Sequence, residues 1–232
     1  MEEKRVFSLV GRVLYDTRKE LGFSQDEVCY GLCSKSFFSR IEKGETEPDY
    51  LLVEALFTRM GVDAPKGLVP LTVEHFRRIK IQDELSTIVD SRSERRLELV
   101  KEYEKGSPLN KIEKQIYALN KGWYLSQFDG KKEEVIKIYE KALKLTLSDF
   151  NVESNEMPEG LLSRYEIALI NNIAHAEYQI YLNDKQDIFN RESAMKRILF
   201  LEDYFKKRIK NYERQTMYSI ILFNLTNWFG LE

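Results

Sequence analysis

Apolar positions recur at helical spacing from near the start of the chain to its end, and strand-like alternation is almost absent. Val10, Val13, Leu14 and Leu21 mark one face of a first helix, and Leu52, Ala55, Leu56 and Met60 mark another that ends before Gly61, both with the period of an amphipathic helix. Two shorter pieces lie between them. Ser24 with Glu27 three positions on spells a capping box, so a second helix starts near Gln25 with Val28 and Leu32 on its apolar face. Ser34 supplies another N-cap soon afterwards, Phe38 and Ile41 turn inward, and Gly44 stops the third helix. Residues 61–70 hold two Gly and two Pro, which predicts a change of direction and a domain boundary near Gly67. Beyond it the pattern predicts long amphipathic helices over about 72–89, 92–105, 109–127, 131–147, 161–182, 191–210 and 213–229. Helix pairs of this length predict an α-solenoid, and the whole chain reads as all-α.

Two capped helices as close as the second and third must cross steeply. That is a helix-turn-helix, whose second helix enters the major groove of DNA. With Phe38 and Ile41 inward, Lys35, Ser36, Ser39, Arg40 and Lys43 are left outward, a short, polar and cationic set. The order Gln25, Ser34, Lys35, Ser36, Ser39, Arg40, Ile41, Glu42 and Gly44 is preceded by a helix with Arg18 and followed by Pro48 and an apolar helix. It resembles the XRE/Cro repressor-type helix-turn-helix family, which implies a lambda-repressor-like DNA-binding domain over residues 1–67. The span from Gln25 to Glu42 is one residue shorter than in the common phage-repressor version. With the run Gly31, Leu32, Cys33, Ser34, it resembles the PlcR, NprR and Rgg peptide-responsive, quorum-sensing regulators of Gram-positive bacteria. In those relatives a TPR-like helical array follows, which assigns residues 68–232 here. The clearest unit is 112–145, where Leu119, Gly122, Gly130, Tyr139 and Ala142 fall close to a tetratricopeptide pattern, with Gly130 in the inter-helix turn and Ala142 where two helices press together. Val135 and Leu147 depart from that pattern. Residues 220–229 read as the first helix of a further pair, so the open apolar end is expected to mark a truncated chain or a dimerisation surface.

The first turn of a recognition helix lies nearest the base edges, which makes Lys35 and Ser36 the leading base-contact candidates. Arg40 shares their face, where it would donate two bonds to a guanine or contact a phosphate. Ser34, Ser39 and Lys43 complete the expected DNA-facing set, and Phe37 is expected exposed, over a thymine methyl or the domain seam. The resemblance implies that Gln25 bonds a backbone phosphate and that Arg18 and Glu42 form a structural salt bridge between the first helix and the third. For the array it implies a concave groove for a short extended peptide clamped by asparagine. Asn171, Asn172, Asn224 and Asn227 are the candidates, with Arg164, Tyr124, Tyr178 and Tyr181 nearby, against the plainer reading that each asparagine is a solvated or packing residue. His175 on an apolar stripe reads as a core histidine, and His75 as a surface one.

Charge narrows this picture. Residues 1–66 carry ten Lys or Arg and twelve Asp or Glu, a net of −2, so DNA would have to be met by a local patch, with weak non-specific affinity and strong salt dependence. A pair of such domains gains from effective concentration, so a homodimer on an inverted-repeat operator in double-stranded DNA is expected. Hydrophobic residues make up 43% of the chain, with no run of eighteen apolar residues and no charged-then-apolar leader at Met1, which predicts a folded, cytoplasmic protein with no membrane contact. Cys29 and Cys33 are spaced i and i+4 rather than as the usual redox pair and are too few for zinc, so both are expected reduced, with Cys29 in the core. No phosphate-cradling glycine loop, metal-binding histidine pair or nucleophile elbow occurs, and neither a catalytic role nor a cofactor or metal is expected. Two other readings compete with a peptide-responsive transcriptional regulator. One is a constitutive repressor or antitoxin whose helical part only dimerises or binds a protein, and the other is a TPR interaction protein without DNA binding.

Overall fold

Short polar side chains set the helix starts along most of the chain. Ser24, Ser34, Asp49, Thr72, Ser93, Asn110, Ser163 and Asp187 each accept a bond from an amide in the first turn of the helix that follows, pairing donors that have no carbonyl partner there. The computed structural model describes residues 2–65, 72–90, 92–128, 131–151 and 157–230, with side chains from Leu9 onward. The helices are α1 (Glu2–Leu21), α2 (Gln25–Cys29), α3 (Lys35–Glu42), α4 (Tyr50–Arg59), α5 (Val73–Thr87), α6 (Glu94–Glu104), α7 (Lys111–Leu125), α8 (Lys132–Leu143), α9 (Arg164–Asn183), α10 (Ile188–Arg208) and α11 (Thr216–Asn224). No strand occurs among the described residues, and the chain is all-α. None of the described helices is long and apolar enough to cross a membrane. Gly67 and Gly130, expected at a domain boundary and an inter-helix turn, lie outside the described residues. The helix expected over 213–229 is divided: a 3-10 turn (Tyr212–Arg214) follows Asn211 at φ 53°, α11 comes next, and a π turn (Leu225–Phe229) ends it.

Three apolar clusters hold these helices. Val10 and Leu14 of α1, Val28 and Cys29 of α2, Phe38 and Ile41 of α3 and Val53, Leu56, Phe57 and Met60 of α4 form the first. Burying a side chain of leucine or phenylalanine size contributes about 1.5–3 kcal/mol, so this cluster fixes how α3 is presented. Leu161, from the segment before α9, completes it. The other face of α4 gives Leu51 and Ala55 to a second cluster with Ile81, Leu85, Leu99, Val100, Tyr103, Ile112, Ile116 and Tyr165. Thus α4 is buried on two sides, and α1–α3 sit against the later helices through it. The third and largest cluster joins α7 to α11.

Side-chain register gives the helix directions. Gln115 bonds the Ala142 carbonyl at 3.3 Å and the Thr146 hydroxyl at 2.7 Å, while Tyr139 reaches the Leu119 carbonyl at 3.5 Å; the positions climb on α7 as they descend on α8, so the two are antiparallel. A Cβ on Gly122 would lie 2.3 Å from the Tyr139 ring, so the glycine is what lets α7 and α8 close. The pairs Asn171–Asn224 and Tyr178–Trp228 instead advance together, placing α11 beside α9 in the same direction.

Candidate nucleic-acid interface and candidate ligand cleft

The α2–α3 pair is assembled from its ends. Ser24 accepts from the Glu27 amide at 3.2 Å while the Glu27 carboxylate accepts from the Ser24 amide at 2.8 Å, and Ser34 accepts from the Phe37 amide at 3.2 Å. Gly31, at φ 66°, turns the chain between them. Because Phe38 and Ile41 are fully buried, the opposite face of α3 is fixed outward. Ser34, Lys35, Ser36, Arg40 and Lys43 are exposed there and Ser39 is half-buried. Phe37, expected exposed, is half-buried against the first cluster; it precedes Phe38 by one position on a short helix, and the rim of the core reaches both rings.

The Arg18 guanidinium donates to both Glu42 oxygens, at 2.6 and 2.9 Å, and to the Phe23 carbonyl at 3.0 Å, with side chains only 5% and 4% exposed. Gln25 adds its amide to the same carboxylate at 2.7 Å, so in the free chain its nitrogen faces Glu42 rather than solvent. α1 crosses this end of α3 at backbone distance, since a Cβ on Gly11 would lie 2.1 Å from the Ile41 carbonyl oxygen. Lys35 pairs with Asp26 at 2.5 Å with both side chains well exposed, a contact worth about 0–1 kcal/mol and readily exchanged for another anion. Arg40 and Lys43 have no ion-pair partner among the described residues. The cationic patch is therefore narrow, with Asp26, Glu45 and Glu47 exposed around it.

Of the residues expected in a groove, Asn171, Asn172 and Asn224 meet. Asn224 donates to Asn171 at 2.8 Å and Asn171 donates to Asn172 at 3.3 Å. They line a cleft of about 290 Å³ together with Trp123, Lys132, His175, Ile220 and Phe223. The others lie elsewhere. Arg164 is ion-paired with Glu54 and bonds the Tyr165 hydroxyl. Tyr124 packs edge-on against Phe128, Tyr178 stacks on Trp228, Tyr181 lies against Tyr178, and Asn227 is turned back to the Phe223 carbonyl at 2.8 Å. His175, expected in the core, is exposed at the cleft with its ring 5.4 Å from Trp228. Crowding of that ring and the Lys132 ammonium hold it below the ordinary histidine range, so at neutral pH it faces the cleft as an uncharged donor and acceptor. His75, expected at the surface, is 14% exposed and meets Asp49 at 2.9 Å.

Sequence reasoning missed Arg59. Its side chain is wholly buried, bonds the carbonyls of Val28 at 3.2 Å and Tyr30, and pairs with the equally buried Glu166 at 2.7 Å. The available signal was an arginine at the end of an otherwise apolar helix, but no local rule names a partner more than a hundred positions away. Arg208 of α10 makes a second tie to the same region, meeting Glu27 at 3.1 Å. Comparison of the chain with protein-family models, with curated proteins and with solved structures gave no match.

Proposed function

We propose that this chain is a sequence-specific DNA-binding transcriptional regulator, with an XRE-type helix-turn-helix over α1–α4 and a TPR-like helical sensor after it, acting as a dimer. The observation that carries the reading is the capped, core-anchored α3, which presents Lys35, Ser36, Arg40 and Lys43 on one exposed face. Few cations are available to meet phosphate, so one copy binds weakly and two linked copies bind usefully. The test is selection of bound sequences from a random duplex pool at low salt. An inverted repeat is expected, with Arg40→Ala weakening binding to it by roughly 1–3 kcal/mol and relaxing preference at one position of each half-site. A pool that stays unenriched at every salt concentration would favour the interaction-protein reading.

The cleft supports a peptide-responsive version. Asparagine side chains both donate and accept, as the backbone of an extended peptide requires, and three of them converge beside Trp123, Tyr139 and His175. Calorimetric titration with a library of short secreted peptides is expected to find a binder whose affinity falls at least about tenfold, ~1.4 kcal/mol, in Asn224→Ala. If no peptide binds, or if binding is indifferent to Asn224, the constitutive repressor becomes the better reading.

A further inference from the structure

Helices α7 and α8 carry matching stripes. Lys114, Ala118 and Lys121 recur at i, i+4 and i+7 on α7, and Ile138, Ala142 and Leu145 do so on α8 and the turn after it, a spacing that puts each set on one helix face. The two stripes line one groove of about 580 Å³, twice the volume of the asparagine cleft and within the size range of a small-molecule site. Its floor is made of the methyl groups of Ala118 and Ala142, both nearly buried. Leu109, from the segment before α7, joins Ile138 and Leu145 as apolar wall.

The rim of this groove is cationic. Lys114 and Lys141 are exposed, and Lys121 is half-buried with its ammonium 5.5 Å from the centre of the Tyr117 ring. None of the three has an ion-pair partner among the described residues. Glu104 is the one carboxylate among the lining residues, and it is engaged, accepting from the Tyr117 hydroxyl at 3.0 Å. Burial and that carboxylate push the Tyr117 hydroxyl up to about 12, so at neutral pH the phenol keeps its proton and the bond persists. The lysine stems extend the apolar wall while their charged heads stay at its edge, which leaves three ammoniums without an anion above a floor without a cover.

We propose that the groove binds an aliphatic carboxylate, a fatty acid whose chain lies over Ala118 and Ala142 and whose head group meets the ammoniums of Lys114, Lys121 and Lys141. Each methylene laid on the floor leaves water, which supplies the affinity. The unpaired lysines favour an ionised carboxylate over a neutral or cationic head group, which supplies the selectivity. The groove shares no lining residue with the asparagine cleft and none with α3, so this site stands apart from both the peptide and the DNA readings.

The test titrates the full chain calorimetrically with decanoate, hexanoate and decanol, each kept below the concentration at which it aggregates, with light scattering alongside. Decanoate is expected to bind at least about tenfold more tightly than hexanoate, because each of its extra methylenes contributes about fourfold when buried, and more tightly than decanol. Replacing Lys114, Lys121 and Lys141 together by glutamine should weaken decanoate at least about tenfold and leave decanol unchanged, whereas Ala142→Leu, which fills the floor, should weaken both. The lysine variant changes only the rim, so it decides the matter even if the buried Ala142→Leu does not fold. Absence of decanoate binding, binding that survives the lysine variant, or decanol bound as tightly as decanoate would each overturn the proposal. So would a dimer, indifferent to decanoate, that Ala142→Leu dissociates, since a second copy would then be the occupant.

Discussion

Arg59→Ala lowers the stability of the chain by about 3–5 kcal/mol, the range for removing one partner of a buried ion pair, and Glu166→Ala lowers it comparably. Arg59 and Glu166 are both 0% exposed, their contact is 2.7 Å long, and the guanidinium also serves the carbonyls of Val28 and Tyr30. Truncating it strands a carboxylate and two carbonyls away from water. The pair as a whole is a different matter, because two buried charges each lose several kcal/mol of hydration, which their attraction roughly offsets. Arg59→Met with Glu166→Gln is therefore expected to recover much of the loss, as glutamine can still accept from the Ser163 amide that Glu166 caps at 2.6 Å. Urea unfolding of the three variants checks this. Single variants within about 1 kcal/mol of the parent would show that water reaches the pair.

Glu166 lies on the first turn of α9, and Asn171, Asn172 and His175 follow on the same helix. With a rise of about 1.5 Å per residue, the asparagines sit roughly 8–9 Å along the axis from the carboxylate that holds Arg59. A ligand that shifts α9 would therefore act on the residue that holds the last turn of α2. In the proposed regulator this is a physical link between cleft and reading helix, and it runs through packed, hydrogen-bonded groups.

The local half of this architecture was readable in the sequence. Capping pairs such as Ser24 with Glu27 and the apolar stripes of α1, α7 and α8 act within a few residues, so helix positions and the outward set on α3 follow from spacing alone. Asn171, Asn172 and Asn224 were also named from the chain, but their meeting depends on α11 lying beside α9. What escaped depends on partners distant in sequence. Arg164 has its ion pair with Glu54, His75 has its contact with Asp49, and neither pairing has a periodic signature. The two-sided burial of α4 did leave a trace, since Leu51, Leu52, Val53, Ala55, Leu56 and Phe57 surround the helix almost completely, and a helix apolar all round has neighbours on more than one side. The boundary expected near Gly67 lies outside the described residues, and α4 just before it packs both into the first cluster and into the one that holds Ile81 and Leu99.

Gly31→Ala and Gly22→Ala form a matched test of that continuity. Both glycines have positive φ, 66° and 82°, and an alanine in this conformation costs about 1–2 kcal/mol. At Gly22 nothing lies within 4 Å of the new Cβ, whereas at Gly31 it would sit 1.7 Å from the Thr146 carbonyl oxygen. Gly22→Ala should therefore lose about 1–2 kcal/mol and no more. Gly31→Ala must in addition part the α2–α3 turn from the segment after α8, and its total loss should exceed about 3 kcal/mol, in the range reserved for disrupted buried contacts. The backbone of Thr146 cannot swing aside as a side chain could, because its own hydroxyl accepts the buried Gln115 amide at 2.7 Å. Parting the turn from Thr146 would also stretch the Lys111 bond to the Gly31 carbonyl and disturb the Tyr30 carbonyl that Arg59 holds. Equal unfolding midpoints for the two variants would mean that the turn stands clear of the helical array in solution. A much larger loss at Gly31 would mean that the turn aiming α3 and the array behind it unfold as one unit.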